Sequence, residues 1–203
     1  MQKNNQAQTF VQQSTLDNGV RIATREMPKT QSVAIGIFID VGSRDETQNL
    51  AGISHALEHM VFKGTSTLDV HELAQRLDDL GGNANAFTSR ERTCFHLHVL
   101  YEDWQEAINL LSGMLLSPAL PTDEWQRERE VIFAEMSMVD DAPDEWVYDQ
   151  HMEQVFAGQV IGKPVLGTKE VLSSLDVADL RDYLETHYRG SNVLIAAAGR
   201  IKH

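Results

Sequence analysis

The sequence contains a single cysteine, Cys94, so no intrachain disulfide is available, and stability has to come from something other than cross-links. It has no apolar run near the roughly 18 residues that a membrane span requires. The first ten residues, MQKNNQAQTF, lack the basic and then apolar regions of a signal peptide and the arginines of a mitochondrial transit peptide. A cytoplasmic location is therefore expected, with a periplasmic or organellar one left open if a leader has been trimmed. Basic residues are scarce as well: 17 lysines and arginines stand against 30 aspartates and glutamates, for a formal net charge of -13. That balance excludes a general nucleic-acid binder, which needs a basic face to neutralise phosphates. It suits cationic partners such as basic peptides, or simply a well-solvated surface. No internal repeat, low-complexity tract or linker divides the chain.

With 42% hydrophobic and 23% charged residues, the 203-residue chain has the makings of one substantial core. Residues 1–8 read as a disordered polar tail, and 9–203 as a single domain. From Thr9 two strands flank the Asn18-Gly19 turn signal, and Ser32 to Gly42 alternates as a third strand. Helices are expected over about Leu50 to Phe62, Asp69 to Leu80 and Asp103 to Leu116. A longer one starts at Thr122 as its cap and runs to Met138, and others cover Glu145 to Phe156, Thr168 to Ser173 and Asp176 to Tyr188. Asn83 to Leu100 reads as two strands joined at Ser89 to Arg92, and Asn192 to Gly199 as a last buried strand. The fold class is α+β: a largely antiparallel sheet with helices packed on one face.

The chemistry concentrates in Gly52 to Thr65, GISHALEHMVFKGT. In a helix, His55 and His59 stand one turn apart on one face with Glu58 beside them. Two imidazoles at that spacing can chelate zinc without distorting the helix, and a neighbouring unbound carboxylate can take a proton from a zinc-activated water. The order H-x-x-E-H is the inverzincin pattern. The bland alternative is an amphipathic helix whose polar face happens to carry two histidines. Of the other histidines, His71 reads as exposed, and His96 and His98 as the polar side of a half-buried strand. Cys94 reads as a small buried apolar residue, with a catalytic thiol as the alternative.

A hydrolytic zinc site takes a third protein ligand. The helix from Trp125 to Met138 offers Glu128 and Glu135, seven residues apart and so on one face. Glu135 sits in the apolar stretch VIFAEM, where a carboxylate is costly to bury unless a cation meets it. Glu128, two turns earlier, is placed to hydrogen-bond a ligating histidine. Without a metal, Glu135 would be only the polar side of its helix.

Taken together, H-A-L-E-H-M-V-F-K-G-T, the stretch Glu128 to Glu135 and the segment Gly81-Gly82-Asn83-Ala84-Asn85-Ala86 resemble the pitrilysin (insulinase) family of zinc peptidases, which includes the β subunit of the mitochondrial processing peptidase and bacterial homologues. The similarity runs from about Leu16 to Gly199 and includes the His59-to-Glu135 spacing. The resemblance implies an N-terminal catalytic domain of a zinc endopeptidase. His55, His59 and Glu135 would bind Zn2+, Glu58 would be the general base, and Glu128 the acidic residue that supports them in catalysis. Asn85, Ala86 and Phe87 would form an edge strand that pairs with an extended peptide substrate. It also implies a second pitrilysin-type domain, in cis or as a partner subunit, with a homodimer as another arrangement. Two alternatives stand beside it: a non-catalytic assembly subunit of the same family, and a lyase resembling S-ribosylhomocysteine lyase. The lyase would need two cysteines where this chain has one.

Overall fold

In the computed structural model, which describes residues 11–203, six strands form one sheet in the order β1-β2-β6-β3-β5-β4. The tail expected over residues 1–8 lies outside the described residues. The strands are β1 Gln12–Thr15, β2 Arg21–Glu26, β3 Ser32–Ile39, β4 Asn85–Thr88, β5 Thr93–Leu100 and β6 Val193–Gly199. Every pairing is antiparallel except β2 with β6, which are parallel.

Period-two patterning decides which face is covered. On β3, Val33, Ile35, Ile37 and Ile39 are buried while Ala34 is exposed, and on β5 Phe95, Leu97 and Val99 are buried while His98 is exposed. The inward residues meet the helices α1 Ile53–Met60, α2 Val70–Asp79, α3 Trp104–Leu116, α4 Thr122–Asp140, α6 Lys169–Ser174 and α7 Val177–His187 in one core. The helices therefore lie on one face, as the alternation implies. α5, Pro143–Val155, has no buried residue and rides on the outside.

Local chemistry sets the helix ends. Asp69 and Asp176 each cap a helix in a reciprocal capping box, with Glu72 and Asp179 reaching back. α4 departs from the expectation at its start: Pro121 is the N-cap and Thr122, expected as the cap, is the first helical residue, with no side-chain cap bond. The indole N–H of the buried Trp125 donates to the Leu175 carbonyl at 3.1 Å and fixes the first turn of α4 against the α6–α7 connection.

Candidate metal and catalytic site

α1 is short, and its apolar residues explain how it stands. Ile53, Ala56, Leu57 and Met60 follow the i, i+3, i+4, i+7 pattern and are buried, which turns His55, Glu58 and His59 sideways toward α4 and β4. The helix starts at Ile53 rather than Leu50 because Gly52 adopts φ +94, a left-handed conformation that ends the preceding 3-10 turn and redirects the chain. A Cβ on Gly52 would also come within 2.6 Å of the Leu166 carbonyl oxygen. Gly52→Ala is accordingly expected to cost about 1–3 kcal/mol, combining backbone strain with a clash against main chain, measured as a lower urea midpoint.

α4 presents the acidic partners. Ile132 and Met136 are buried toward the core, and Glu128 and Glu135 face α1. Glu135 Oε2 lies 3.7 Å from His55 Nε2 and 3.6 Å from His59 Nε2. The three donor atoms fall within 4.8 Å of one another, the one such group of potential metal ligands among the described residues. Four-coordinate zinc with bonds near 2.0–2.1 Å spaces its ligands roughly 3.3 Å apart, so a small inward movement of these nitrogen and oxygen donors makes the set fit zinc. Burial, and then the neighbouring His59, push His55 down to about 4, so its imidazole is neutral near pH 7, the form that binds a metal.

The second nitrogen of His59 is also engaged. His59 Nδ1 donates to Glu128 Oε2 at 3.0 Å, and Lys63 Nζ donates to Glu128 Oε1 at 2.6 Å. Burial raises the Glu128 carboxyl, but the hydrogen bonds and charges of Lys63 and His59 outweigh it and leave the group lowered. Glu128 therefore stays an anion and fixes the ring of His59. Lys63 is a residue that sequence patterning missed: it lies three positions beyond the end of α1, where helical spacing no longer announces a partner.

Glu58 points toward the sheet instead. Thr88 Oγ1, on β4, donates a hydrogen bond to Glu58 Oε2. Burial raises the Glu58 carboxyl, with Thr88 and His59 opposing that shift and Glu135 adding to it. A carboxyl raised in this way suits a general base. Thr88 is a second residue that sequence patterning missed; its alternation with Ala86 was the available signal.

β4 is the terminal strand of the sheet, paired only with β5, so one edge of its main chain is free of other strands among the described residues. Ala86 and Thr88 turn toward the helix side and are half-buried; Asn85 and Phe87 alternate away and are exposed. Asn85 Oδ1 accepts from the Ala86 N–H at 2.9 Å. Of the three residues expected to bind substrate, Ala86 and Phe87 border the same cleft as His55 and Glu58, a cavity of about 630 Å³, and Asn85 is not among its lining residues. Tyr148, Asp144, Glu145 and Asp149 of α5 form the far wall. Arg90, from the β4–β5 turn, pins that wall by pairing with Asp149 at 2.7 Å, and its Nε donates to the Ile161 carbonyl. His71 is exposed, His98 exposed and His96 half-buried, and none belongs to the metal group. Cys94 is 1% exposed, and burial, then Glu58, push its thiol up to about 11, so it is an inert core residue.

A helix bearing H-x-x-E-H, a carboxylate delivered by a second helix and an open strand edge beside them have the arrangement of the inverzincin class. The family model described as Insulinase (Peptidase family M16) matches residues 21–169, and the chain belongs to that family. It is 41% identical over 192 residues to the "Uncharacterized zinc protease YmxG" of Bacillus subtilis, covering 95% of this chain and 47% of that protein. It is 38% identical over 190 residues to the probable mitochondrial-processing peptidase subunit beta of Arabidopsis thaliana, covering 94% of this chain and 36% of the relative. The fold is shared with the crystal structure of a protease from Helicobacter pylori, with a TM-score of 0.89, 24% identity, and coverage of 96% of this chain and 47% of that one. The chain spans about half the length of the curated zinc proteases it matches. Membership of this family, together with the absence of Cys94 from the metal group, replaces the lyase alternative. No helix among the described residues is long and apolar enough to cross a membrane.

Proposed function

We propose that this chain is the zinc-binding domain of an endopeptidase that hydrolyses extended peptides, with His55, His59 and Glu135 as ligands and Glu58 as general base. One observation supports this reading: three metal-type donors converge, and one of them, His55, shares a cleft with Glu58, a carboxyl outside the donor set, and with the terminal strand β4. Bound here, zinc would supply the Lewis acidity that makes a water nucleophilic and a peptide carbonyl electrophilic near neutral pH.

The chain's own groups do the rest. An extended peptide adds to the edge of β4, where main-chain hydrogen bonds give affinity with little demand on side chains. Asn85 must release the Ala86 N–H for that pairing. Thr88 holds one oxygen of Glu58, leaving the other to accept the proton of the attacking water and pass it to the leaving amine. Glu128, braced by Lys63, keeps the His59 ring turned toward the donor set. Asp144 and Glu145 on the far wall are outside the salt bridges of the described residues, and they suit a cationic substrate side chain. A second domain of the same family, in cis or as a partner subunit, would close the open side of this cleft; a homodimer is the competing arrangement.

Metal analysis tests the ligand set. The purified chain is expected to carry one zinc ion, removable by a chelator, and Glu135→Gln is expected to weaken binding by at least about tenfold, since losing even an outer partner of a ligand costs that much. A wild-type chain that takes up no zinc would sink the proposal.

A further inference from the structure

Glu46 is a carboxylate that the mechanism above does not use, and it is 5% exposed. It follows the 3-10 turn Ser43–Asp45 and reaches across to the start of α1. Its Oε2 accepts from the Gly52 N–H at 2.7 Å and its Oε1 from the Ser54 N–H at 2.9 Å. These amides belong to the N-cap residue and the second residue of α1, a helix whose own N-cap, a glycine, has no side chain to offer. The anion also faces the positive end of the helix dipole. The neighbouring Ser54 hydroxyl is held by the Tyr183 hydroxyl at 2.9 Å, so the first turn is fixed from two separate elements.

The start of α1 needs such a clamp. His55 is only one residue beyond Ser54, and α1 has eight residues, too few to hold its own first turn by cooperativity. On its outer side the turn meets main chain, where Gly167 packs against Ala51 with no room for a side chain. A slip of the first turn would move His55 relative to His59 and Glu135.

We propose that Glu46 is a positioning residue for the metal centre: by clamping the Gly52 and Ser54 amides it sets where His55 stands, and so sets zinc affinity. The inference rests on the ligand set proposed above. Burial holds the Glu46 carboxyl up at about 7 in spite of the two amide hydrogen bonds and the charge of Lys163. A carboxyl whose folded value is raised favours the fold while protonated, and that contribution disappears as pH rises through about 7. As a carboxylate Glu46 therefore works against stability, and a role at the neighbouring site gives a physical reason for a charge at this position.

The test is zinc binding by the folded chain, titrated with zinc alone at pH 8. Glu46→Gln, which keeps the shape and removes the charge and one acceptor, is expected to bind zinc about tenfold more weakly, as for other groups that orient a ligand. Glu106→Gln, which breaks only the exposed pair with Arg76, is the control and keeps wild-type affinity. A folded Glu46→Gln chain with wild-type zinc affinity overturns the proposal. Amide hydrogen exchange on the metal-free wild type gives a second decision that needs no variant. The Gly52 and Ser54 amides are expected to exchange slowly; exchange at the rate of an open loop means no clamp exists and overturns the proposal even if Glu46→Gln fails to fold. If the wild type binds no zinc while these amides are protected, the ligand assignment fails and the clamp stands as a structural feature alone, which overturns its role at the metal.

Discussion

Glu58→Gln is expected to keep its zinc and lose peptide hydrolysis by about a thousandfold, in the middle of the range for removing a general acid–base group. The amide replaces a carboxyl that touches neither ligand histidine, and the His55–His59–Glu135 donor group does not include it. The Thr88 hydroxyl can still donate to the amide oxygen, so the side chain stays in place and only its basicity is gone. The loss should fall on kcat with KM little changed, because the proton moves only during reaction. Peptide cleavage and zinc content measured on the same preparation decide it. Retained activity would remove Glu58 from the mechanism, and an inactive wild type with a full complement of zinc would favour the non-catalytic subunit instead.

The second large effect concerns the open side of the cleft. The Glu135 side chain is 39% exposed and Tyr148 is 53% exposed, while Met138 and Trp146, on the same two helices, also stand in solvent. Water at such a site weakens every electrostatic interaction there, and a peptide held by one strand edge alone is poorly oriented. The relatives extend to about twice the matched length. Joining a second family domain to this one, in cis or as a subunit, is therefore expected to raise kcat/KM by roughly a hundredfold or more, a modest share of what orientation can supply. Equal activity of the two forms on one fluorogenic peptide would show that these residues suffice. The apolar rim should become protected from labelling in the joined form.

Much of the site was legible because its geometry is helical and local. His55, Glu58 and His59 share a face by spacing alone, and Glu128 and Glu135 share another; the burial expected of Glu135 in VIFAEM is not found, because its side chain stands on the rim at 39% exposure. What local pattern could not supply was what arrives from far along the chain. The start of α1 was expected at Leu50, and the missing turn is explained by the positive φ of Gly52 and by Glu46 bonding the first amides from outside the helix. Thr88 finding Glu58, and Arg90 finding Asp149, are meetings across 30 and 59 positions of sequence. The antiparallel character of the sheet followed from hairpin signals, but the parallel pairing of β2 with β6 has no turn to announce it. Thr122 reads as a good cap, yet the rigid Pro121 before it already has the extended backbone a cap requires.

That parallel pairing also governs how the domain can be made. β6 lies between β2 and β3, and it is the strand that ties the β1–β2 hairpin to the rest of the sheet. On a ribosome the first hairpin emerges early and has to wait for residues 193–199, some 170 positions later, before it has a neighbour. A two-stranded hairpin is marginal by itself, so the nascent chain exposes unpaired strand edges throughout that interval. Co-translational chaperone demand, and aggregation when translation stalls before Val193, follow from the order of strands rather than from the chemistry of the cleft.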